Sequence, residues 1–163
     1  MKPVLLATDG SLTAEKATLT AIDLALALGS ELVIVSVWDI AYAGYSAMGF
    51  APIQMTGDLA RLGEDEATRV IAEAAALAEE AGAETRSVVL RGFPVEAICD
   101  AAERFAPQFL VIGSHGWGAV KRALFGSVST GVLHHVTCPV LVVPAEKVET
   151  NIAKNGLREE IKA

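Results

Sequence analysis

The sequence predicts an α/β protein: a single doubly wound domain on a five-stranded parallel sheet with helices on both faces. Three observations carry this. Short apolar runs of strand length alternate with longer helical patterns in the order βαβαβαβαβ. The strand runs are apolar on both faces, as suits parallel strands covered on both sides. The chain is 163 residues, with 52% hydrophobic and 20% charged residues, enough for one core and too apolar for disorder.

The elements follow in order. Val4–Ala7 is a short strand run ending at Thr8-Asp9-Gly10. After Ser11 or Thr13 as cap, Ala17, Ala21, Leu24, Ala25 and Leu28 keep helical spacing, and Gly29 stops the helix. Leu32–Val37 is β-branched and continuous, a second strand. Leu59, Leu62, Val70, Ile71, Ala74, Leu77, Ala78 and Ala81 mark a second helix, closed by Gly82. Ser87–Leu90 is a weaker strand. Pro94 opens a third helix carrying Ala97, Ile98, Ala101 and Phe105. Phe109–Ile112 is the fourth strand, and a fourth helix follows Gly126-Ser127 and ends near His135. Val140–Val143, fenced by Pro139 and Pro144, is the last strand. Residues 1–144 read as the domain and 145–163 as a polar tail. The uncharged stretch Ile40–Gly57 is either a flexible connection or a flap or partner surface, since Tyr42, Tyr45, Met48 and Phe50 are costly to leave in water.

Charge is unevenly spread. The formal net charge is -7, with 16 acidic and 6 basic residues in 1–103. Residues 104–145 hold Arg104, Lys121 and Arg122 and no acid, so an anionic ligand is to be sought there. The global acid excess argues against nucleic-acid binding. The sequence shows no apolar run of membrane-spanning length and no signal peptide, so a cytoplasmic protein without a membrane is expected. Cys99 and Cys138 are too few for a disulfide scaffold or a Cys-based zinc site, and read as buried small apolar residues.

Ligands of open α/β sheets bind beyond the carboxyl ends of the strands. The most informative end is Gly113-Ser114-His115-Gly116, followed after nine residues by Gly126-Ser127-Val128-Ser129. Glycine admits close approach of backbone amides to an anion. A helix start offers unpaired N–H groups and the positive end of the helix dipole. The residues therefore describe either a phosphate cradle or a glycine-permitted turn. The P-loop, dinucleotide and nucleophile-elbow patterns are absent.

The spacing G-x2-G-x9-G-[ST] resembles the nucleotide motif of the universal stress protein family, in its ATP-binding branch. Val4–Ser11, Leu32–Val37, Arg91–Pro94, Phe109–Gly116 and Cys138–Pro144 resemble the family's flanking segments. The resemblance implies a stress-response protein with strand order 3-2-1-4-5 and a homodimer through Val140–Val143. It also implies an adenine nucleotide, ATP with AMP or ADP as alternatives, accompanied by Mg or Mn. Ala7, Thr8 and Asp9 would lie beside the adenosine, with Asp9 near ribose or base. Val37 would offer its backbone to adenine, Ile112 and Gly113 would approach the ribose, and His115 and Gly116 would lie at the ribose–phosphate turn. Gly126, Ser127, Val128 and Ser129 would hold the phosphates. Ala7 and Gln108 depart from the family's usual residues.

Asp9 also reads as a capping carboxylate, or as a ligand of a divalent ion through phosphates or water. His134 and His135 read as cations at a helix end rather than metal ligands. Lys121 and Arg122 either reach phosphates or are simply solvated. A nucleotide-dependent sensor or regulator is the expected function. A slow adenine-nucleotide hydrolase and a dimeric interaction protein with an unused pocket are the rivals.

Overall fold

A computed structural model describes residues 1–38, 57–115 and 126–144. Within them the chain forms β1 (Val4–Ala7), α1 (Leu12–Leu28), β2 (Leu32–Trp38), α2 (Gly57–Glu80), β3 (Thr85–Arg91), α3 (Pro94–Phe105), β4 (Phe109–Gly113), α4 (Ser127–His135) and β5 (Val140–Val143). All strand pairs are parallel, in the order 3-2-1-4-5.

Two cores explain why β1 and β4, and nearly all of β2, are apolar on both faces. Successive strand residues point to opposite faces. Val4, Leu6, Leu32 and Ile34 pack with α1 and α2, whereas Leu5, Ala7, Val33 and Val35 pack with α3 and α4. Ser11 caps α1, its Oγ accepting the Ala14 amide at 3.3 Å, so Thr13 is not the cap. Gly29 ends the helix in the left-handed conformation, as its position predicts.

Several boundaries differ from the sequence reading. β3 covers Thr85–Arg91 rather than Ser87–Leu90, because it pairs residue by residue with β2 from Leu32↔Thr85 to Trp38↔Arg91. Backbone pairing sets its length, while its side chains at Arg86, Ser87, Val89 and Arg91 stay exposed at the sheet edge. The uncharged stretch 40–57 overlaps α2 at Gly57; residues 39–56 and 145–163 lie outside the described residues. Leu62, expected on the apolar spacing of α2, is 67% exposed. The helix has 24 residues, about 36 Å, and outruns the strands it covers. Cys99 and Cys138 are half-buried rather than buried, one on the flank of α3 and the other in the turn before β5. Even so, burial raises both thiol pKa values.

The described residues contain no helix long and apolar enough to cross a membrane. The strand order reverses between β1 and β4, since β1 leads to β2 on one side and has β4 on the other. The crevice at the carboxyl ends of those two strands is where a ligand of such a sheet binds.

Candidate functional site

The β1 side of the crevice is built by a self-satisfied turn. Ala7 and Thr8 are buried, and the Thr8 amide donates to the Val35 carbonyl at 3.0 Å. Thr8 Oγ1 accepts the Gly10 amide at 3.3 Å, and Asp9 Oδ1 accepts the Ser11 amide at 3.0 Å. Gly10 has φ +72°, a conformation that suits glycine, and a Cβ there would meet Val70 Cγ2 at 2.7 Å. Asp9 thus does the local capping work that its position allows, while its residue stays exposed at the crevice rim.

The β4 side is built around Ser114, which is 2% exposed. Its amide donates to the Val143 carbonyl at 2.8 Å, tying β4 to β5. Its carbonyl accepts the Gly126 amide at 2.6 Å and the Ser129 hydroxyl at 3.0 Å. Ser114 Oγ and His115 Nδ1 lie 3.0 Å apart. The start of α4 is therefore held directly against the end of β4. On the other side the end of β4 lies close to the start of α1: a Cβ at Gly113 would come within 3.3 Å of Thr13 Cγ2 and 3.4 Å of the Thr13 carbonyl.

The first turn of α4 has no side-chain cap. Gly126 occupies the N-cap position with extended backbone and, having no side chain, makes no side-chain cap hydrogen bond. Ser127 is exposed, Val128 half-buried and Ser129 buried. The Ser129 hydroxyl turns back to the carbonyls of Ser114 and Gly126. It serves as an anchor of the helix start.

A third wall comes from β2. It runs three residues past Val35, the partner of Ala7, and β3 accompanies it to Arg91. The Thr8 amide bonds to Val35, and the Gly92 amide bonds to the Trp38 carbonyl on the β3 side. Backbone groups alternate between neighbours along a parallel strand. Val37 therefore points its N–H and C=O toward the β1 side, beyond the end of β1. Trp38 braces this wall. Its ring lies under the Arg91 guanidinium at 5.0 Å, and a Cβ at Gly63 of α2 would overlap it.

Ala7, Thr8, Asp9, Val37, Ile112, Gly113, His115, Gly126, Ser127, Val128 and Ser129 all belong to these carboxyl-end segments or to the start of α4. Gly116, Lys121 and Arg122 lie outside the described residues. Sequence reasoning missed Ser114 as the buried hub; the signal was its place between a strand end and the first glycine spacing. His134 and His135 sit exposed in the last turn of α4, His135 Nδ1 meeting the Gly131 carbonyl at 2.8 Å. No cluster of three or more His, Cys, Asp and Glu able to hold a metal occurs among the described residues.

A cleft of about 270 Å³ lies on the other side of the same β1 turn, between α1 and α2, lined by residues including Thr8, Ser11, Glu15, Val70 and Glu73. Its two carboxylates oppose a phosphate, and it is smaller than typical ligand pockets.

The fold and crevice define a class: an open parallel α/β protein with a glycine-capped helix start at its switch point. The universal stress protein family matches residues 1–144, and this chain belongs to that family. It is 30% identical over 149 residues to universal stress protein MJ0531 of Methanocaldococcus jannaschii, covering 91% of this chain and 85% of that one. Its structure is similar to that of hypothetical protein MJ0577, with a TM-score of 0.78 and 26% identity over 90% of this chain and 97% of the other. It also shares its fold with the universal stress protein from Archaeoglobus fulgidus, solved in complex with dAMP. That likeness has a TM-score of 0.64 and 23% identity, over 88% of this chain and 98% of the other.

Proposed function

We propose that this chain binds an adenine nucleotide in the β1/β4 crevice and acts as a nucleotide-dependent regulator in the response to stress. The observation that carries this reading is the start of α4: a glycine cap anchored on the Ser114 carbonyl, with no side chain of its own to accept from the first-turn amides. Those amides and the helix dipole suit phosphate oxygens. Ser129 would contribute through its backbone, because its hydroxyl is engaged. Ser127, Val128 and Gly126 complete the cradle, with Gly116 and His115 at the turn toward the ribose and Ile112 and Gly113 beside it.

Val37 supplies the reading of the base. A backbone donor and acceptor side by side match the N1 acceptor and N6 amino donor of adenine, whereas guanine presents the opposite pattern. Ala7, Thr8 and Asp9 would flank the adenosine. A Mg or Mn ion would arrive with the phosphates, Asp9 holding it directly or through water. ATP is the favoured ligand, with AMP and ADP filling less of the cradle. The same fold carrying dAMP in the Archaeoglobus fulgidus protein supports an adenine ligand.

A homodimer through β5 belongs to the same proposal. The β3 edge is blunted by Arg86 and Arg91, with Arg86 paired to Glu31 at 3.0 Å. The β5 edge, Val140–Val143, carries no charge, and uncovered edges of this kind invite pairing.

Isothermal titration with ATP, AMP and GTP tests the ligand. Saturable ATP binding in the millimolar range or tighter, with GTP at least about tenfold weaker, is expected. No ATP binding, or equal GTP binding, would sink the reading. Steady multiple-turnover phosphate release abolished by Asp9→Asn would instead favour the hydrolase.

A further inference from the structure

We infer that the outer face of α1 is a second self-association surface, on which another copy of this chain lies antiparallel. The inner face of α1 is buried through residues such as Ala14, Ala17, Ala21 and Ala25. Its outer face carries Leu12, Lys16, Leu19, Asp23 and Leu26, all exposed. The three leucines are 88%, 50% and 43% exposed. Scattered surface leucines need no explanation, but these recur at seven-residue spacing, with alternating steps of four and three along the stripe. That is the seam pattern of two helices crossing at about 20°.

The two charges select the occupant and its direction. Lys16 and Asp23 lie seven residues apart, and neither has an ion-pair partner among the described residues. A parallel second copy would place Lys16 against Lys16 and Asp23 against Asp23. An antiparallel copy, related by a twofold axis near Leu19, places Lys16 against Asp23 twice. The same operation sets Leu12 against Leu26 and brings the two Leu19 side chains together. The patch is thus self-complementary, as a twofold interface requires. A helix of 17 residues is only about 25 Å long, so association through it alone is weak and concentration-dependent. It is independent of nucleotide and of β5.

Sedimentation of the full chain over a range of concentrations tests the surface. Leu19→Asp should weaken the concentration-dependent association at least about tenfold, leaving any β5-mediated pair intact. K16D and D23K should each weaken it by about threefold or more, and the K16D/D23K exchange should return it to within about twofold of the parent. Circular dichroism checks that each variant is folded. In a Cys99→Ala/Cys138→Ala background, Leu19→Cys should be joined to a second copy by diamide, which takes up the two thiol hydrogens. Leu62→Cys, more exposed than Leu19 and on α2, should not. An unchanged concentration dependence in Leu19→Asp would overturn the inference, even if the stripe then bound a different protein. So would a charge exchange no better than its single variants.

Discussion

The starts of α1 and α4 flank the same crevice, yet they are finished in opposite ways. At α1 the chain closes its own ends: Ser11 Oγ accepts the Ala14 amide, Asp9 Oδ1 accepts the Ser11 amide, and Thr8 Oγ1 accepts the Gly10 amide. At α4 a glycine stands at the cap, and the buried Ser129 hydroxyl donates to carbonyls instead of accepting from amides. Both helices present the positive end of a dipole to the crevice. The α1 turn thus holds the strand end in place with its own side chains, whereas the α4 turn is the one that the proposed nucleotide would complete.

The largest effect should come from giving α4 the finish of α1. Gly126→Asp supplies both a cap and a negative charge where phosphates are proposed to sit. ATP affinity should fall by about 100-fold or more. Stability should change by only a few tenths of a kcal/mol, since glycine and aspartate are both good caps. Calorimetric titration and urea denaturation measured on one preparation separate the two outcomes. Loss of binding accompanied by loss of fold would erase the contrast.

Ser129→Ala should act on both properties. It removes one of the two donors to the buried Ser114 carbonyl, costing about 1 kcal/mol. It also loosens the anchored helix start, so ATP binding should weaken by about tenfold. Ser11→Ala should be the mirror image. It should cost about 1 kcal/mol in urea denaturation through the lost α1 cap, with ATP affinity held within about threefold. A larger binding loss for Ser11→Ala than for Ser129→Ala would reverse the assignment of the two turns.

The smallest effect concerns the layer beneath α4. Burial raises the Cys99 and Cys138 thiols, so the folded chain favours the neutral form. A group whose folded-state pKa lies above its unfolded value keeps its proton longer in the fold. Stability is therefore present below the ordinary thiol range and falls as pH rises through about 9. A modest drop in Tm between pH 8 and 10 should follow, and it should flatten in the Cys99→Ala/Cys138→Ala variant. The α1/α2 layer holds no cysteine and should show no matching loss in hydrogen exchange.

Much of the fold is legible in the residues alone. Doubly apolar runs such as Leu32–Val37 and Phe109–Ile112 leave little alternative to strands covered on both faces. Gly29 and Pro94 mark helix boundaries through backbone constraints that act locally. The glycine spacing at Gly113 and Gly126 locates the candidate crevice for a related reason: a Cβ at Gly113 would be tight against Thr13, and Gly126 stands at the helix cap. Local signals fail where partners decide. β3 owes its seven residues to pairing with β2, and its own side chains read as too polar for that length.

The sequence by itself therefore determined the order of elements, the doubly wound class and the loops that could meet a ligand. Those properties depend on φ/ψ preference and on burial periodicity, which neighbouring residues settle. The tertiary structure decided which hydroxyls are spent and which backbone groups are left over. Ser129 turns inward because Ser114 is brought beneath it, and Val37 looks past the end of β1 because the strands differ in length. Hydrogen-bond partners distant in sequence make those choices, and no window along the chain contains both members of the pair.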